Sequence, residues 1–159
     1  MAAEGVGGKR CRLWWPLLEE GRILAAAMVS GGATWPEGLG VESFASGMHA
    51  RVWKACADLQ RARGARGWGI EDVGAALSGR VRMGELVELV ELLGRVPRLD
   101  VEGDARTVRR AASRRRLAAK CDHWAGRLRY TDEPVDDVIQ EAEAELDTLA
   151  TLAECTRRA

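Results

Sequence analysis

The chain has 159 residues, enough for one domain that buries roughly two-thirds of its unfolded surface. Hydrophobic residues make up 47% and charged residues 30%, which excludes an intrinsically disordered composition. Lys and Arg number 24 against 24 Asp and Glu, so the large positive excess of a general nucleic-acid coat is absent.

Residues 1–16 read as a loose tail, with Gly5, Gly7 and Gly8 followed by Lys9 and Arg10. The tail invites a phosphate-loop reading, which fails. Ala3 stands where the first glycine is needed and Arg10 where a Ser or Thr would hold magnesium. Trp14 and Trp15 are expected to fold back onto the first helix, because aromatic side chains are usually buried mass. No stretch approaches the ~20 apolar residues that span a membrane, and the expected location is the cytoplasm. Cys11, Cys56, Cys121 and Cys155 show no C-x-x-C spacing and are expected to be reduced thiols. Only His123 lies near a cysteine, Cys121, which is too few ligands for a metal.

Helical segments are expected throughout after the tail, and no strand. Aromatics are only 5% of the chain and most are Trp, so Leu, Val and Ala carry the core. Leu17, Leu18, Ile23, Leu24, Ala27 and Met28 recur at helical spacing until Gly31 and Gly32. Trp35-Pro36 and Gly38 to Gly40 make a loop. Met48, Val52, Cys56 and Leu59 mark a second helix ending at Gly64, with His49 near its start as a hydrogen-bonding or capping residue. Arg61 to Gly69 is an Arg/Gly-rich loop. Ile70, Val73 and Leu77 give a short third helix closed by Gly79. Leu86, Val87, Leu89, Val90 and Leu93 give a fourth, stopped by Gly94 and Pro97. Its apolar residues span more than one face, so it is either central in a core or partly a contact surface.

The last third is an αα-hairpin of opposed charge. Val101, Ala105, Val108, Ala112, Cys121, Trp124 and Leu128 lie at helical intervals, and residues 103–130 hold nine Lys/Arg and two Asp. Thr131-Asp132-Glu133-Pro134 is a turn with capping residues and Pro near the next helix start. Residues 131–154 then hold nine acids and no base. The zero net charge conceals this opposition. Arg109, Arg110, Arg114, Arg115 and Arg116 form the densest charge cluster. One reading pairs it with the acidic helix or a second subunit; the other sets it against DNA phosphates. Val135, Val138, Ile139, Ala142, Leu146 and Leu149 form a stripe suited to oligomerisation. No nucleophile–base arrangement or paired carboxylates ask for chemistry, so no catalytic residue, cofactor or metal is expected.

These pieces, in this order, resemble the N-terminal domain of replicative DnaB-type DNA helicases. Glu20 to Met28 is similar to that family's E-x-x-[VI]-L-[GA] helix. Phe44, His49, Val52, Trp53 and Ala55 resemble its F-x-x-x-x-H-x-x-I-F-x-A stretch. Leu59, Ile70, Asp72, Val73 and Leu77 loosely follow its next element, and Val96-Pro97 its V-P. Arg115-Arg116-Leu117 resembles its R-R-L, and the run from Pro134 to Glu143 its terminal D-E-A-E helix. The chain departs at Ala50, where the family has Arg, and at Gly103 and Asp104, where it has paired aromatics.

The resemblance implies an all-α fold with a helical head over 17–98 and a helical hairpin over 99–156. It implies hairpins that pair protomers into dimers, and dimers that build a hexameric collar. The implied partners are a second copy of this chain, a primase or helicase loader docked on the head, and a full-length helicase. DNA is expected to bind weakly if at all. ATP hydrolysis belongs to a motor domain these residues do not contain, so this chain is expected not to be an enzyme. A fragment of a helicase and a stand-alone copy acting as a decoy both fit, as does a DNA-binding regulator that uses the Arg-rich helix 105–117.

Overall fold

A computed structural model describes residues 16–95 and 98–158. The expectations for Trp14, Trp15, Cys11 and Val96-Pro97 lie outside the described residues, as does the side chain of Cys155. The described residues are all-α, with six helices: α1 (Leu17–Ser30), α2 (Gly47–Arg63), α3 (Ile70–Leu77), α4 (Met83–Gly94), α5 (Val101–Tyr130) and α6 (Val135–Arg158). A single 3₁₀ turn, Val41–Ser43, precedes α2.

Two compact units divide the chain, one ending at Arg114 and the other beginning at Arg115. The sequence places the head–hairpin boundary near residue 98, but the first half of α5 belongs to the head. Ala105 and Val108 are fully buried in the head core. Arg22 of α1 grips Asp104 through Nε at 2.8 Å and Nη2 at 2.5 Å. The pairing with Asp104 raises the Arg22 pKa above its ordinary value. Periodicity finds a helix but cannot find where its allegiance changes, because Ala105, Val108 and Ala112 repeat as evenly as the residues beyond them.

In the head, α1 packs chiefly on α4 and also on α2 and α3. Ile23, Leu24, Ala27 and Met28 supply its buried stripe, opposed by Val52, Trp53 and Cys56 of α2, Val73 and Leu77 of α3, and Leu86 and Leu89 of α4. Gly21 permits the α1–α4 approach: a Cβ there would meet Leu92 Cδ1 at 2.9 Å. The loop after α1 returns Trp35 to stack on Trp53, with ring centroids 4.1 Å apart and 13° between planes. The Trp53 indole N–H donates to the Leu39 carbonyl at 3.2 Å, fixing that loop.

Each stop signal has a physical counterpart. Gly31 takes the left-handed conformation at φ 58°, and its N–H bonds back to Ala27. A Cβ at Gly31 would lie 2.6 Å from the Trp68 carbonyl oxygen, so the Arg/Gly-rich loop can close tightly over the end of α1. Arg66 N–H donates to the Gly31 carbonyl at 2.6 Å, and Trp68 Nε1 donates to Gln60 Oε1 at 3.2 Å. Asp72 starts α3 by accepting from the Gly69 N–H at 2.9 Å, and it also pairs with Arg63. Those donors hold its carboxyl below the ordinary aspartate value.

Candidate functional site

The most enclosed polar cluster in the head joins α1 to the start of α2. Glu20 is fully buried, on the same face as Ile23, Leu24 and Ala27. Its carboxylate accepts from the Ala45 N–H at 2.6 Å and the Ser46 N–H at 3.4 Å, and its second oxygen lies 2.8 Å from His49 Nδ1. Ser46 is the actual N-cap of α2, accepting from the His49 backbone N–H at 3.3 Å. His49 therefore hydrogen-bonds through its ring rather than capping the helix. Phe44 packs at 5.2 Å from Trp53, one turn beyond His49. The Ala45 and Ser46 N–H groups that meet the carboxylate lie at the start of α2, so the buried charge positions that helix start. Glu20 was detectable in the sequence: a charged residue standing at i, i+3, i+4 and i+7 with Ile23, Leu24 and Ala27 must find partners or leave the core.

The broadly apolar α4 divides its residues between core and surface. Leu86 and Leu89 are buried, Val90, Leu92 and Leu93 are half-buried, and Val87 is 42% exposed. A shallow cavity of about 250 Å³ lies between α2 and α4, lined by Met48, Glu85, Glu88, Leu89 and Leu92. Glu85 also accepts from the Arg82 N–H at 2.7 Å, which caps α4.

In the second unit, α6 runs back along α5. Lys120 pairs with Glu145 at 2.5 Å, and Arg127 pairs with both Glu133 and Glu141. The opposed charges meet within the hairpin at Lys120 and Arg127. Arg127 holds the carboxyls of Glu133 and Glu141 below the ordinary glutamate value, and those two acids in turn raise the Arg127 pKa. Trp124 and Val138 are buried. Of the stripe suited to oligomerisation, Val138 is covered within the chain. Ala142 and Leu149 are half-buried, and Val135, Ile139 and Leu146 are open to solvent. Leu117 and Leu128 on α5 are open as well.

The five clustered arginines have different surroundings. Arg109 is committed within the head, donating to the Glu37 carbonyl at 2.6 Å and to Glu102. Arg115 is half-buried. Arg110, Arg114 and Arg116 are exposed. Among the described residues no group of three or more His, Cys, Asp or Glu could hold a metal, and no helix is long and apolar enough to cross a membrane. Cys121 and His123 are both exposed, and burial pushes the Cys56 thiol up to about 12, which leaves it protonated and unreactive at neutral pH. No family model and no curated protein matches this chain.

Proposed function

We propose that this chain is a non-catalytic assembly module of DNA replication, similar in role to the N-terminal collar domain of DnaB-type helicases. It acts in the cytoplasm, pairs with a second copy through its hairpin, and presents its head to a primase or helicase loader. The observation that carries the reading is the open stripe on α6. Val135 is 57% exposed, Ile139 47% and Leu146 45%, on a helix whose ion pairs to α5 are already made. A second copy would remove that surface from water, at roughly 25 cal/mol per Å² of apolar area. Two further features support the reading. The residues that carry the resemblance in the head converge: Glu20 on His49, and Phe44 on Trp53. The α4 cavity, lined by Met48, Leu89 and Leu92 together with Glu85 and Glu88, suits an amphipathic helix that carries basic residues.

The test is light scattering over a concentration series. The expected mass rises from that of the 17.3 kDa chain to at least twice it. A protein that stays monomeric at its highest soluble concentration sinks the pairing, and with it the collar reading.

A further inference from the structure

Between Asp104 and Asp122, α5 carries seven basic residues and no acid. The head divides them. Ala105, Val108, Ala111 and Ala112 are buried, and Arg109 is tied to Glu37 and Glu102 on the flank. Arg106, Arg110 and Arg114 are exposed and follow one another at intervals of four residues. That interval keeps them on one face, about 6 Å apart along the axis at 1.5 Å per residue. Among the described residues no carboxylate lies within ion-pair distance of any of the three. Ser113 is the other exposed residue between Arg110 and Arg114, and its hydroxyl donates back to the Arg109 carbonyl. The face from 106 to 114 thus offers three guanidinium groups with no exposed apolar or aromatic side chain between them.

We propose that Arg106, Arg110 and Arg114 form a docking row for the phosphate backbone of duplex nucleic acid, bound without regard to base sequence. The composition of the face selects this occupant. A protein partner needs an apolar centre to its interface. Single-strand binders use aromatic platforms on which bases stack. A row of fixed charges alone suits the densest polyanion, and a duplex carries one charge per about 1.7 Å of axis. Guanidinium groups hold their charge at every physiological pH and present forked donors to phosphate oxygens. The row belongs to the head unit and the stripe that carries the assembly reading to the second unit, and each is tested by its own measurement.

The experiment titrates fluorescent duplexes of two unrelated sequences, and a single strand of one of them, with the full chain. Both duplexes are expected to bind equally and more tightly than the single strand. Three phosphate contacts give a log–log salt slope of about −2.7, a loss of about 40-fold between 50 and 200 mM salt. The variant Arg106→Gln/Arg110→Gln/Arg114→Gln is expected to abolish binding, with its circular dichroism unchanged. A charge-matched control, Arg51→Gln/Arg80→Gln/Arg98→Gln, changes exposed arginines elsewhere and is expected to leave binding intact. Undetectable binding at 50 mM salt, equal loss in the control, or preference for the single strand would overturn the proposal. So would a row variant that keeps duplex binding but loses self-association, which would assign the row to the acidic α6 of a second copy.

Discussion

A fully buried carboxylate must have partners, and Glu20 has three, all from the segment that begins α2. Removing one oxygen acceptor leaves backbone donors unsatisfied, which costs about 1–3 kcal/mol. Glu20→Gln is therefore expected to lower the melting temperature by several degrees without changing oligomeric mass. The measurement is thermal unfolding beside light scattering; unchanged melting would show that the lost acceptor contributes nothing to stability. Gly31 makes a second case. Its φ of 58° and the Trp68 carbonyl 2.6 Å from a built Cβ leave no room for a side chain. Gly31→Val is expected to destabilise by about 1–3 kcal/mol through left-handed strain, read as a shift in urea midpoint. Gly31 was legible as a helix stop because glycine has a local signature. The partners of Glu20 were not, since they lie 25 to 29 residues away and no periodicity links them.

The helices show the same division between local and distant information. All six fall where apolar spacing and Gly, Pro or capping residues predict them, because those signals act within one or two turns. The change of allegiance along α5, and the pairing of Lys120 and Arg127 with α6, depend on which face meets the head and which meets α6. Charge counts showed that the arms oppose each other but could not say which charges touch. The pairs have a pH consequence. Glu133 and Glu141 titrate lower in the folded chain than the ordinary value of 4.5, because Arg127 favours their charged forms. A depressed folded pKa contributes stability that is complete above about pH 4.5 and is lost as pH falls through the lower folded values. Unfolding of the second unit is expected to become easier below about pH 4, monitored by denaturant midpoints of an isotopically labelled hairpin. In Arg127→Gln that part of the acid dependence should be smaller; an identical acid limb would mean that the pairs do not couple to folding.

At the scale of the whole molecule, the question is whether the apolar side chains left open on α6 form an interface or are merely tolerated. Single exposed leucines are ordinary on protein surfaces. Val135, Ile139 and Leu146 are not isolated: they recur at helical spacing with half-buried Ala142 between Ile139 and Leu146 and half-buried Leu149 just beyond. Leu146→Asp separates the two readings. Leu146 is 45% exposed in a single chain, so a charge there reaches water and should cost the monomer little. In a paired hairpin the same charge would be buried without a partner, among the acids of residues 131–154, and the dimer should dissociate. The expected variant is a folded monomer with intact helical circular dichroism. If Leu146 instead packed as core, the change would lower the melting temperature sharply and leave the mass unchanged. Leu86→Ala is the contrasting variant. Leu86 is completely buried in the head, so its truncation is expected to cost about 2–5 kcal/mol and leave association intact wherever the chain remains folded. Loss of mass in Leu146→Asp with loss of stability in Leu86→Ala would locate assembly and folding on different helices. A Leu146→Asp protein that keeps the wild-type mass would remove α6 as the pairing surface.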